Sequence, residues 1–356
     1  MHLIVNNRSQ LERELHPLRQ VVEQIGSHPL REWIEQSQHP VVVSHKNADG
    51  DAVGSLLSWY HHLNRRPRLI LPNGCPKHFT WLSDGVQILS GDTDLDVCRR
   101  VLQEADLILC VDFCDLTRIE QVGPLVKEAS GRKVLIDHHH QPEQDSFDLI
   151  ISIPDLSSTC ELTYWVMHHL WGDEKIGRET ARSLYTGICT DTGSFSYSSE
   201  HPSVYEAAAA LVSKGIDAAG IHLAIDNTFT EERIRFYGHI LSNRLRVFPE
   251  SHFAYMYVTL DDVERFHMEP SDMEGLVSYT MMMRDVWVGV LVREEVVCGT
   301  YRNRISLRSK YDTDVNQIAR THFNGGGHTK AAGGQTTCRL EETLSQLEAI
   351  FIGNCR

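Results

Sequence analysis

No apolar stretch in the 356 residues approaches the roughly 20 that a bilayer-spanning helix needs, which argues against a membrane protein. No Cys-x-x-Cys pair occurs, and the nine cysteines are odd in number. Cys110, Cys189 and Cys298 sit in apolar runs. This pattern speaks against a disulfide framework or structural zinc and for reduced thiols in a cytoplasmic protein. The start, MHLIVNNRSQLERELHP, turns polar too early for a signal peptide. Positive charge is also scarce: 34 Lys and Arg face 48 Asp and Glu, a net of −14. Such a chain offers no basic track for a long nucleic-acid backbone. A small phosphorylated substrate stays open, because bound metal ions would bring positive charge to the site itself. One basic cluster, Arg302, Arg304, Arg308 and Lys310, has no acid among residues 301–310. There is no internal repeat or low-complexity tract.

Apolar residues make up 41% and charged residues 23%, the balance of a globular chain long enough for two domains. From residue 40, strand and helix patterns alternate. PVVVSH (40–45), RLILP (68–72), ADLILCVD (105–112), KVLIDHH (133–139) and DLIISIP (148–154) read as short strands. Helical patterns fill 51–63, 93–104, 158–172, 176–189 and 203–213. The alternation predicts an α/β fold with a mostly parallel sheet in a first domain, 1–228. A helical connector is expected at 229–249. HFAYMYVTL, VWVGVLVRE and RISLRSK then alternate as strands, which predicts a smaller α/β domain over 250–356.

Four clusters carry the chemistry: SHKNADGDAVGS (44–55), VDFCD (111–115), LIDHHH (135–140) and CTDTGSF (189–195). Each follows an apolar run read as a strand, so their side chains are expected at strand ends, where open α/β sheets bind ligands. The donors are His45, Asp49, Asp51, Asp112, Asp137, His138, His139 and Asp191. All are carboxylate or imidazole and none is thiolate, which suits two divalent metals, with Mn²⁺ favoured and Mg²⁺ or Co²⁺ as alternatives. Paired metals are the usual means of cleaving a phosphate ester with water.

Each motif has a plainer reading. Asp49 before a helix is a common N-cap, and Asp112 and Asp191 taken singly could be caps. Asp112 ends an apolar strand, where an unpaired carboxylate is costly, and a central strand end faces both metal positions. Successive strand side chains point to opposite faces, so Asp137, His138 and His139 cannot all be ligands unless the strand has ended. One division makes His138 a ligand, His139 a substrate-facing group and Asp137 the residue that orients a neighbour. The doublets His61-His62 and His168-His169 lie in helical patterns and read as packing or surface residues, as do Cys114 and Cys189.

In the C-terminal domain, Asn324-Gly325-Gly326-Gly327-His328-Thr329-Lys330 is a Gly-rich segment. Glycines before a helix expose N–H groups that can hold phosphate. Arg308 can clamp a phosphate bidentately.

The order His-x-x-x-Asp-x-Asp, Asp, Asp-His-His, Asp, then Gly-Gly-Gly-His resembles the DHH phosphoesterase superfamily with its DHH-associated C-terminal domain. The likeness runs from about residue 20 to 350. Length and domain content are most like the bacterial bifunctional oligoribonuclease and pAp phosphatase group, pAp being 3′-phosphoadenosine 5′-phosphate. The resemblance implies one metal held by His45, Asp49 and Asp112. It implies a second held by Asp51, Asp112, His138 and Asp191, with Asp112 bridging. It puts His139 near the scissile phosphate and gives substrate binding to Arg308, Gly326, Gly327 and His328. Ala48 and Asn324 stand where the family often has Pro and Gly, and neither departure removes a ligand.

The expected activity is two-metal hydrolysis of short RNA or DNA oligonucleotides, linear dinucleotides and pAp, with His139, Asp137 and Asp112 as catalytic groups. The rival enzymes are a cyclic-dinucleotide phosphodiesterase and a RecJ-like single-strand exonuclease. A silent nucleotide-binding protein is the rival outside enzymes. The oligomeric state is left open, with a homodimer among the options.

Overall fold

The computed structural model describes residues 17–226, 229–273, 275–297 and 299–353. The expectations for Cys298 and for the N-terminal segment before Pro17 lie outside them. The backbone divides into two units, Met1–Thr228 and Phe229–Arg356.

The first unit begins with helices α1 (Pro17–Ile25) and α2 (Leu30–Gln36). β1 (Pro40–Val43), α3 (Gly50–His62), β2 (Arg68–Leu71), β3 (Ile88–Ser90), α4 (Leu95–Glu104) and β4 (Leu107–Val111) follow. Then come α5 (Gly123–Glu128), β5 (Arg132–Asp137), β6 (Leu149–Ser152), α6 (Thr159–Trp171), α7 (Arg178–Asp191), α8 (Pro202–Val212) and α9 (Ala218–Asp226). The strands lie in the order β3-β2-β1-β4-β5-β6, and every neighbouring pair is parallel. Parallel strands are covered on both faces, which is why these runs are apolar throughout and do not alternate with polar residues. Val42, Leu109, Val111 and Ile136 pack into one core with α3, α6 and α7. Val41, Val43, Ile108, Cys110 and Leu135 enter the other, with α4 and α5. The strand order reverses between β1 and β4, the kind of position at which open α/β sheets bind ligands beyond the carboxyl ends of their strands. β3 is too short for its periodicity to show in the sequence, and α1 and α2 also escaped that reading.

Close approach of α3 and α7 depends on small residues. A Cβ on Gly54 would stand 2.6 Å from the Ser183 carbonyl oxygen and 3.0 Å from Cys160 Sγ. One on Gly187 would stand 2.2 Å from Cys160 Sγ and 2.8 Å from Asp51 Oδ1.

The second unit holds α10 (Glu231–Asn243), β7 (Leu245–Phe248), β8 (Phe253–Val258), α11 (Leu260–Phe266) and α12 (Ser278–Met281). β9 (Val288–Val297), β10 (Thr300–Ser309), α13 (Val315–His322), β11 (Gly326–Gly327), β12 (Ala331–Thr336) and α14 (Leu340–Phe351) complete it. Its sheet runs β11-β12-β10-β9-β8-β7, antiparallel apart from the β8–β9 pair. The stretch expected as a connector at 229–249 is part of this unit. α10 buries Phe236, Tyr237 and Ile240 against Met256, Val258 and Leu291. Residues Leu245–Phe248 leave the helix and pair with β8. An apolar stripe of that kind needs a core, and this unit's sheet provides one. No helix among the described residues is long and apolar enough to cross a membrane.

Gly54→Ala tests the packing of α3 on α7. Helix propensity alone would favour Ala by about 1 kcal/mol. The backbone oxygen at 2.6 Å cannot move aside like a side-chain tip. The variant is expected to lose about 1–3 kcal/mol, read as a lower urea midpoint. A midpoint at or above that of the wild type would show that the two helices can separate freely.

Candidate metal centre

The centre is built where β1, β4 and β5 end. Val43 of β1 lies level with Cys110 of β4, and Val111 lies level with Ile136 of β5. The Ser44 hydroxyl donates to the Val111 carbonyl at 2.8 Å and ties two of these ends together. His45 follows. Its Nδ1 lies 2.8 Å from the Lys46 carbonyl, an acceptor, so Nδ1 carries the proton. Nε2 then faces Asp112 Oδ2 at 3.3 Å and Asp49 Oδ1 at 3.9 Å.

Asp49 is the N-cap of α3: its Oδ1 accepts from the N–H groups of Asp51 and Ala52 at 3.1 and 3.0 Å. The cap is real, and the same oxygen faces His45. Asp51, in the first turn of α3, is fully buried. Its oxygens accept from the Thr159 and Cys160 N–H groups at 2.7 and 2.8 Å, so the carboxylate closes the N-terminus of α6. Asp112 is 1% exposed and adopts φ +65°, unusual for a residue with a side chain. Its N–H continues the sheet to the Ile136 carbonyl at 3.1 Å, and its Oδ1 accepts from the Thr159 hydroxyl at 2.9 Å.

β5 ends at Asp137, so the next residues are released from strand alternation. His138 Nδ1 lies 3.2 Å from the Leu156 carbonyl, which again places the proton there. Its Nε2 faces Asp191 Oδ2 at 3.4 Å, Asp112 Oδ1 at 3.9 Å and Asp51 Oδ2 at 4.0 Å. His139 donates from Nδ1 to Asp137 Oδ1 at 2.7 Å. Asp137 Oδ2 is buried without a hydrogen-bond partner. Asp191 does not stand at a strand end as expected: it is the last residue of α7. The apolar run before it obeys helical periodicity, and its carboxylate arrives from the helix side of the sheet.

Three groups of donor atoms therefore lie within 4.8 Å of one another: His45, Asp49 and Asp112; Asp51, His138 and Asp191; Asp112, His138 and His139. Asp112 belongs to two of them. Burial, then Asp51 and Asp49, push the Asp112 carboxyl well above its ordinary range. Burial and the neighbouring Asp51, Asp49 and Asp112 do the same to Asp191. Burial raises Asp51, opposed by His138. His139 is pulled down by burial, but the Asp137 hydrogen bond and the Asp112 charge outweigh it and leave the imidazole above its usual value. The crowded carboxyls repel one another, and the Nε2 atoms of His45 and His138 point into the same space. A divalent cation held among these oxygens and nitrogens would offset that repulsion, so the donor set fits such ions.

Thr159 and Cys160 were not singled out from the sequence, yet they hold both Asp51 and Asp112. The signal was there as Ser158-x-x-Glu161 before an apolar helical run. Ser158 is the N-cap of α6, accepting from Glu161 N–H at 3.0 Å.

In the second unit, Arg308 lies on β10 opposite Ala331 and donates from Nη1 to the Leu307 carbonyl at 3.0 Å. His328 exchanges backbone hydrogen bonds with Ala331, so the two residues sit at one end of the sheet. The Gly-rich segment is not a loop leading into a helix. Gly326 and Gly327 pair with Gly333 and Ala332. The N–H groups of Gly325, Gly327 and His328 donate to Ala319 O, Asn316 Oδ1 and Ala331 O. These three N–H groups are engaged within the protein. The glycines are needed for closeness: a Cβ on Gly325 would stand 1.9 Å from the Gly333 oxygen. The basic cluster is partly committed too, with Arg302 paired to Glu295 and Lys310 donating to the Met283 carbonyl.

The DHH family, N-terminal domain, matches residues 40–188, and the DHHA1 domain matches residues 251–353. The chain is 26% identical over 297 residues to the bifunctional oligoribonuclease and PAP phosphatase NrnA of Thermus thermophilus, covering 82% of each chain. It is 26% identical over 345 residues to the cyclic-di-AMP phosphodiesterase GdpP of Bacillus subtilis, covering 90% of this chain and 49% of that protein. Among solved structures it is similar to an exopolyphosphatase-related protein from Bacteroides fragilis, 34% identical with a TM-score of 0.86, over 92% of this chain and 95% of that one.

The raised carboxyls set a pH dependence. A carboxyl whose folded value lies above its unfolded value contributes stability below the unfolded value, about 3.9 for Asp, and loses it as pH rises through the folded value. Protein kept in chelator is therefore expected to lose stability as pH climbs above about 3.9, the unfolded carboxyl value. Asp112→Asn, which removes one of the repelling charges, should flatten that slope. Denaturant titrations at several pH values measure it; parallel profiles for the two proteins would contradict the electrostatic account.

Proposed function

The chain belongs to the DHH family and carries a DHHA1 domain, and from that premise we propose that it is a metal-dependent phosphoesterase acting on short oligonucleotides, linear dinucleotides and pAp. The observation that carries this reading is the pair of imidazole nitrogens, His45 Nε2 and His138 Nε2, turned onto carboxylates that share Asp112. His45, Asp49 and Asp112 would hold one ion, and Asp51, Asp112, His138 and Asp191 the other. Mixed imidazole and carboxylate donors favour Mn²⁺ over an all-oxygen ion. When bound, two such ions supply a water activated at neutral pH and stabilisation of the attacking and leaving oxygens.

The chain's own groups do the rest. Asp137 fixes the ring of His139 through Nδ1 and keeps a proton on that imidazole. His139 can then donate to the oxygen that leaves phosphorus, the part of a general acid. Thr159 and the first N–H groups of α6 hold Asp51 and Asp112 in place through the reaction. In the second unit, Arg308 and His328 are the groups proposed to meet substrate phosphate or base. Gly326 and Gly327 would act by letting β11 lie close to β12, since the N–H group of Gly327 is already engaged.

Short substrates fit a chain of net charge −14. The likeness to the Thermus oligoribonuclease and PAP phosphatase supports oligonucleotides and pAp. The likeness to the Bacillus cyclic-di-AMP phosphodiesterase over 90% of this chain keeps cyclic dinucleotides as the second reading.

Rates with added Mn²⁺ on labelled RNAs of increasing length, pAp and cyclic dinucleotides decide among these. Efficiency should fall beyond about five nucleotides, with a salt slope of only two or three phosphate contacts at about 0.7 each. Rates that hold on long strands with a steep slope would instead indicate a RecJ-like exonuclease. The two adjacent histidines should separate. His138→Ala is expected to lose bound metal, whereas His139→Ala keeps it and slows turnover about 10²- to 10⁴-fold. Elemental analysis beside single-turnover rates tests this, and equal metal loss in both variants would remove the division of labour.

A further inference from the structure

The segment after Asp191 is strained and aromatic. Gly193, Ser194, Phe195 and Ser198 have φ of 51°, 55°, 65° and 51°. Three of them carry a side chain in the left-handed region, at about 1 kcal/mol or more each. A dense hydrogen-bond network fixes this shape. Phe195 N–H donates to the Thr192 hydroxyl at 2.9 Å, and the Ser196 and Tyr197 N–H groups donate to the Thr192 carbonyl at 2.8 and 3.0 Å. The Ser194 hydroxyl pairs with His222 Nδ1 at 3.0 Å, and His222 Nε2 meets the Tyr185 hydroxyl at 3.2 Å, tying the turn to α7 and α9.

What this shape presents is a set of rings. Phe195 stacks on Tyr205 of α8 with centroids 5.6 Å apart and planes 26° from parallel, and Tyr185 lies 6.2 Å from Phe195 on the buried side. Tyr205 is 50% exposed and Tyr197 is 56% exposed. The Tyr197 ring lies over Gly193, 2.3 Å from where a Cβ would stand, two residues from Asp191. Tyr197 on the strained turn and Tyr205 on α8 beside Phe195 both leave half their surface to solvent. Residues 192–205 contain no Lys or Arg, so this surface is suited to the π-face of a ligand and not to its phosphate.

We propose that Tyr197 and the Phe195–Tyr205 stack form a platform for a nucleobase of the substrate, next to the metal centre at Asp191. The inference rests on the phosphoesterase reading and extends it to the base. Stacking on aromatic rings tolerates every base, as a protein that degrades short oligonucleotides of any sequence requires.

The test uses the full chain with Mn²⁺ and compares AMP with ribose 5-phosphate by calorimetry, which needs no turnover. Wild type should bind AMP more tightly. Tyr197→Ala and Tyr205→Ala should each weaken AMP about ten- to a hundredfold and change ribose 5-phosphate by less than about twofold. Tyr197→Phe and Tyr205→Phe keep a ring and should bind AMP as the wild type does; thermal melts confirm that all four variants fold. With a dinucleotide, the Ala variants should raise KM and leave kcat nearly unchanged. Equal affinity of wild type for AMP and ribose 5-phosphate would overturn the platform, as would Phe variants as weak as the Ala variants. If AMP binding behaves as expected but no oligonucleotide, pAp or cyclic dinucleotide is hydrolysed, the platform stands and the phosphoesterase reading fails.

Discussion

Like charges held together in a buried pocket are the constraint on which the first unit depends. Asp51 and Asp112 are almost fully enclosed, Asp49 and Asp191 stand beside them, and burial with the charge of the neighbouring carboxylates drives the carboxyls of Asp51, Asp112 and Asp191 upward. His138 opposes the rise at Asp51 but does not cancel it, and the Nδ1 atoms of His45 and His138 are engaged with the Lys46 and Leu156 carbonyls. A chain keeps so costly a group only if other structure holds it and a cation repays it. The αL conformation of Asp112 has the same meaning: local strain kept at the point where two strand ends meet.

The scaffold serves that pocket at several scales. The parallel sheet brings the ends of β1, β4 and β5 level, and the strand order reverses between the first two. Glycines at 54 and 187 let α3 and α7 close in, so that Asp51 and Asp191 can converge from different helices. The first turn of α6 supplies neutral donors with a favourable dipole where another positive side chain would compete with a metal.

Much of this was legible in the sequence, for identifiable reasons. The apolar runs ending in His45, Asp112 and Asp137 could be read because buried parallel strands leave unbroken hydrophobic stretches. Asp191 was recognisable as a member of the cluster, and the helical pattern at 176–189 before it was legible too; only its grouping with the strand-end clusters did not hold. Thr159 escaped because its role is carried by a backbone N–H and a hydroxyl, and capping residues occur at many helices with no further duty. The Gly325–Gly327 segment was legible only as glycine-rich. Glycine permits both a turn into a helix and the near contact of two backbones, and the pairing of β11 with β12 shows the second. The apolar stripe of α10 was visible as a helix; that it belongs to a core depends on β8 and β9, which lie later in the chain.

The clamp on Asp51 has a consequence for ion size. Each of its oxygens already accepts an N–H from a separate residue of α6, so the carboxylate plane cannot swing to meet an incoming ion. Ca²⁺ takes about six to eight oxygen ligands at long and variable distances, and carboxylates that pivot between one- and two-oxygen contact suit it. A pinned carboxylate beside two imidazoles whose orientation is also fixed offers short bonds in set directions. A centre of this stiffness would favour an ion that takes short bonds in set directions over one that requires its ligands to adjust.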